Sequence, residues 1–141
     1  MRLCHLIAIV LLALAVPAAA AEKPKPLSTR DAEWLLHSVP AAVELQQQGF
    51  NLGRELQTSS AFNQRDWFIF WAYNATRKCD GCSVTVGHFA VNRHTGEVFD
   101  MDLNSFVATP QLAAAQKMLR DKRRITQEVI RKHQSDALMR N

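Results

Sequence analysis

The residues of this chain best equipped for chemistry stand close together: KCDGCSVTVGHF, residues 78–89, sets Cys79 and Cys82 three apart with His88 six further on. Such a cysteine pair serves as a redox couple, as half of a metal site, or as a disulfide. A redox thiol needs a helix N-terminus to lower its pKa, but Cys82 runs straight into the alternating stretch SVTVGHFAV. Asp80, between the thiols, raises a neighbouring thiol pKa. A metal set of Cys79, Cys82, His88 and His94 is overstretched. About ten residues of strand span roughly 30 Å, against ligand bonds of about 2 Å. No metal site is therefore expected. A disulfide between Cys79 and Cys82 is expected, stabilising its short loop by about 1–3 kcal/mol. It would present Arg77, Lys78 and Asp80 on a clasped turn, and a rigid turn loses less freedom on docking. These three, with Trp71 and Tyr73 from the aromatic run before them, form the expected partner-binding set; a plain stapled surface turn is the alternative.

His88, Glu97, Asp100 and Asp102 are the other groups fit for proton transfer. On a strand, Asp100 and Asp102 would share a face and could hold a cation, or simply be solvated. G-x-S-x-G, H-E-x-x-H and phosphate-loop patterns are missing from the sequence. The expectation is no enzyme and no cofactor. A basic run, Lys117, Arg120, Lys122, Arg123, Arg124, Arg131 and Lys132, suits an acidic partner, a lipid headgroup or an anionic polymer, or is a solvated helix face. A net charge of +4 over 141 residues is too mild to indicate nucleic-acid binding.

Compartment decides the thiol chemistry. Residues 1–21, MRLCHLIAIVLLALAVPAAAA, carry Arg2, an apolar run from Leu6 to Val16, and small residues before Glu22. This is the layout of a cleaved signal peptide, and the run is short of the roughly 18–20 apolar residues a membrane anchor needs. Cleavage removes Cys4 and leaves an even pair in an oxidising, periplasmic or extracellular setting.

The elements that must position these groups follow from period and caps. Residues 22–27 read as an extended, proline-punctuated linker, and residues 28–141 as a single domain. Ser28 or Thr29 caps a helix over STRDAEWLLHSVPAAVELQQQG, kinked or restarted at Pro40, with Trp34, Leu35, Val39, Ala42, Val43 and Leu45 on one face. After a polar segment, residues 66–76 are a strand with Trp67, Ile69, Trp71 and Tyr73 on one face and Phe68, Phe70 and Ala72 on the other. Strands at 83–91 and 97–103 flank the turn NRHTG, with Asn92 opening it and Gly96 closing it. Thr109 and Pro110 start a C-terminal helical region that has room for a break. The expected fold class is α+β, an antiparallel meander packed on N- and C-terminal helices.

GHFAVNRHTGEVFDMDL, residues 87–103, resembles the hairpin of PepSY-type domains, which are small exported modules. In outline, the exported chain with its N-terminal helix, meander and cysteine-clasped loop resembles small periplasmic inhibitor and immunity proteins. That resemblance implies binding to an envelope protein, such as a cell-wall-degrading enzyme. The competing expectation is a small ligand-binding or structural envelope module.

Overall fold

The structure, a computed structural model, describes residues 23–54, 65–74 and 85–138, without side chains for 135–138. Ser28 begins α1 (Thr29–Leu36) with a capping box: its hydroxyl accepts from the Asp31 N–H, and the Asp31 carboxylate accepts from the Ser28 N–H at 2.8 Å. Pro40 has no N–H to give and sits at the first position of a separate helix, α2 (Pro40–Gln47), where none is needed. Between them the chain turns at His37 and Ser38.

Five strands follow: β1 (Asn51–Arg54), β2 (Trp67–Tyr73), β3 (Thr85–Asn92), β4 (Val98–Asp100) and β5 (Ser105–Phe106). They pair antiparallel in chain order, so the described sheet is a meander. The β3–β4 turn forms as its residues dictate. Asn92 Oδ1 accepts from the N–H groups of His94 and Thr95, and Gly96 adopts φ 72°, a left-handed value that suits glycine. Thr109 caps α3 (Pro110–Arg123) through its hydroxyl. α3 is capped by Arg124 in the left-handed conformation, and α4 (Gln127–Leu138) starts three residues on.

Phe68, Phe70 and Phe89 point from the sheet into one core with Leu35 and Leu36 of α1 and Leu112 and Leu119 of α3. Phe70 is fully buried, a burial that stabilises by roughly 1.5–3 kcal/mol. The alternate residues Trp67 and Ile69 pack with Ala90, Phe99 and Met101 in a separate cluster. The α+β architecture is thus the expected one, with five strands instead of three. The single strand expected over 97–103 stops at Asp100, because Asp100 Oδ1 accepts from the Asp102 and Leu103 N–H groups and closes a turn. Trp34 does not join the core face of α1. That face follows Ala32, Leu35 and Leu36, and Trp34 lies off it, 41% exposed. Leu27 is buried, and its N–H donates to the Arg93 carbonyl at 2.7 Å, so close packing begins before the helix. Among the described residues no helix is long and apolar enough to cross a membrane.

Candidate functional site

β2 presents its odd-numbered residues on the face away from the helix-packed core, and the third of them, Trp71, is 39% exposed. Its ring lies 5.9 Å from the Tyr73 ring, tilted by 41°. The pair has room because the residue opposite on β1 is Gly53: a Cβ there would lie 2.7 Å from the Tyr73 ring and 3.1 Å from Trp71 Nε1. Glycine in a strand is ordinarily unfavourable, and its use here is the close approach of two aromatic rings.

Across the other edge of β2, Trp71 is opposite His88 and Ala72 is opposite Val86. Gly87 is the extra residue of this β-bulge and takes φ 75°. His88 Nδ1 lies 2.9 Å from Asp102 Oδ1, while the His88 N–H donates to Asp102 Oδ2 at 2.8 Å. One carboxylate thus fixes both the imidazole and the backbone of the bulge. The two side chains are 40% and 50% exposed. The resulting surface sets an oriented histidine beside a half-exposed tryptophan and a tyrosine, and the two aromatic types are enriched at the centres of protein interfaces.

Of the residues expected to bind a partner, Trp71 and Tyr73 are brought together here. Arg77, Lys78, Asp80, Cys79 and Cys82 lie outside the described residues, as do residues 1–21. The strand ends Tyr73 and Thr85 pair with each other, so this end of the β2–β3 ladder carries the aromatic pair.

The carboxylates considered for proton transfer are engaged in structure. Asp100 is buried as a turn acceptor, and Glu97 accepts from the Thr95 hydroxyl and from Gln134. The two aspartates do not share a strand face, since Asp102 lies beyond the end of β4, but both border a pocket of about 330 Å³ with Leu45, Phe89 and Leu103. The basic run is split. Arg120 Nε donates to the Thr95 carbonyl at 2.7 Å, and burial lowers its pKa against the opposing pull of Glu97. Arg123 pairs with Asp31, and Lys117 with Asp121. A second cleft, about 280 Å³, lies between α1 and α3 and is bordered by Arg30, Trp34, Met118 and Lys122.

No protein-family model matches the chain, and no curated protein matches it. One solved structure is similar: a chain from the structure of a type VI secretion system effector-immunity complex from Pseudomonas protegens. The TM-score is 0.61 at 18% identity, over 82% of this chain and 92% of that one. The two chains share a fold. The likeness extends over nearly the whole of the solved chain, well beyond the hairpin that the sequence singles out.

Proposed function

We propose that this chain is an exported, periplasmic protein of the inhibitor or immunity kind, which acts by covering a toxic effector and performs no catalysis. The observation that carries the reading is the Trp71–Tyr73 pair, held half-exposed over Gly53 at the end of the sheet where the 75–84 connection attaches. Aromatic side chains on a strand present contact area at little conformational cost, and a few of them at the centre of an interface contribute about 2 kcal/mol each or more. The fold likeness to a chain of an effector-immunity complex supports the same reading. An enzyme that degrades the cell wall is the expected class of partner. His88 is read as a support of the surface, its imidazole and its own N–H both held by Asp102. A second reading, a small-ligand module, rests on the pocket bordered by Leu45, Phe89 and Leu103.

The reading is tested by competition between siblings. Cells lacking the gene should be inhibited by their parent strain in mixed culture and rescued by the intact gene. Rescue should fail when the signal segment 1–21 is removed. Equal growth of the deletion strain beside its parent, under conditions where the parent inhibits other susceptible cells, would contradict it.

A further inference from the structure

Asp66, His94 and His133 come from three distant parts of the chain: the residue before β2, the β3–β4 turn and α4. Asp66 Oδ1 lies 3.0 Å from His94 Nε2. The His94 and His133 rings stack with centroids 3.9 Å apart and planes within 8°. One ligand-competent atom of each residue lies within 4.8 Å of the other two, and all three residues are half-buried. We propose that these side chains form a binding site for a divalent transition-metal ion of the zinc type, with three protein ligands and a fourth position open to water.

Two imidazoles and one carboxylate are a ligand set that zinc accepts, with bonds of about 2.0–2.2 Å, which places neighbouring ligand atoms roughly 3.3–3.5 Å apart in a tetrahedron. Asp66 and His94 already meet at that scale. The other spacings, at most 4.8 Å, close by no more than about 1.5 Å. One ring must also tilt, because parallel imidazoles direct their lone pairs side by side and not at a common point. His94 is held through its N–H, which donates to Asn92 Oδ1 at 2.8 Å, and the Arg93 N–H donates to the Asp66 carbonyl at 2.8 Å, tying the segment before β2 to the turn. Gln134, next to His133, donates to Glu97, so α4 is already docked beside the same turn. Trp67 pairs with Asn92 at one end of the β2–β3 ladder and Tyr73 with Thr85 at the other, and the ligand cluster lies at the Trp67–Asn92 end.

Zinc titration of the purified protein, followed by calorimetry and thermal unfolding, tests the site. One equivalent should bind, and zinc at about 100 times its dissociation constant should raise Tm by roughly 5 °C or more. Asp66→Asn and His133→Gln should each weaken binding about tenfold or more, at least the loss seen when a metal ligand's supporting partner is removed. Metal-free His133→Gln should melt within a few degrees of the parent, separating lost ligation from lost folding. A Cys79→Ser/Cys82→Ser variant should bind zinc as the parent does, and cobalt should give the visible absorption of a four-coordinate ion. The proposal is overturned by no binding, by affinity unchanged in both Asp66→Asn and His133→Gln, or by binding that disappears with the cysteines.

Discussion

Asp31 has two roles that pull its carboxyl in the same direction. Burial alone would raise its pKa, but the hydrogen bonds from the Ser28 hydroxyl and N–H and the charge of Arg123 outweigh it and hold the carboxyl below its ordinary value. A depressed carboxyl contributes stability that is fully present above the unfolded pKa, near 4, and is lost as pH falls through the folded value. Asp31→Asn should therefore destabilise by roughly 1–3 kcal/mol at pH 7, and its deficit relative to the parent should shrink below about pH 4. Urea unfolding of both proteins at pH 7 and pH 3 measures this; an equal deficit at the two pH values would assign the loss to something other than the charge. The capping role was legible in STRDAE, where a hydroxyl precedes an acid by three residues. The ion pair was not, because Arg123 lies 92 residues away and only the packing of α1 on α3 brings it in. The Asp66–His94–His133 cluster was missed for the same reason: ligand spacing in sequence drew attention to the cysteines, whereas the side chains that converge come from three segments.

At the scale of elements, the strands with aromatic or alternating sequence were readable, and those without were not. WFIFWAY and the NRHTG turn have the composition their structures require. NLGR has no such composition, and β1 exists because β2 offers an edge on which Gly53 makes room for two rings. The bulge in β3 was hidden too, since SVTVGHFAV alternates plausibly straight through Gly87. A Cβ on Gly87 would lie 2.5 Å from Leu45 Cδ1, and the residue holds a left-handed φ. Gly87→Ala should accordingly destabilise by about 1–3 kcal/mol, from backbone strain and crowding against α2 together. Chemical denaturation checks the magnitude. A loss below a few tenths of a kcal/mol would mean the bulge relaxes at no cost, and His88 would then not be fixed opposite Trp71 as described.

For the whole molecule, alternation and capping were enough to establish a meander with helices at both ends, and β2 was legible as a strand from its aromatic excess. Which surface meets a partner was less legible, because exposure depends on how the elements pack. Trp34, expected in the core, emerges beside Met118 at the cleft between α1 and α3, while Trp71 emerges on the opposite side of the sheet. The two tryptophans therefore test two different interfaces. The most direct measurement is the affinity of the purified protein for the parent-strain effector whose removal abolishes the inhibition of the deletion strain, with Trp71→Ala and Trp34→Ala side by side. Both residues are partly exposed, so neither substitution should abolish folding, and unfolding curves will verify that. Loss of an interface anchor of about 2 kcal/mol corresponds to a roughly 30-fold weaker complex. Trp71→Ala should show that loss and Trp34→Ala a change of less than about threefold. Full affinity in a folded Trp71→Ala protein, with the loss appearing in Trp34→Ala, would contradict it.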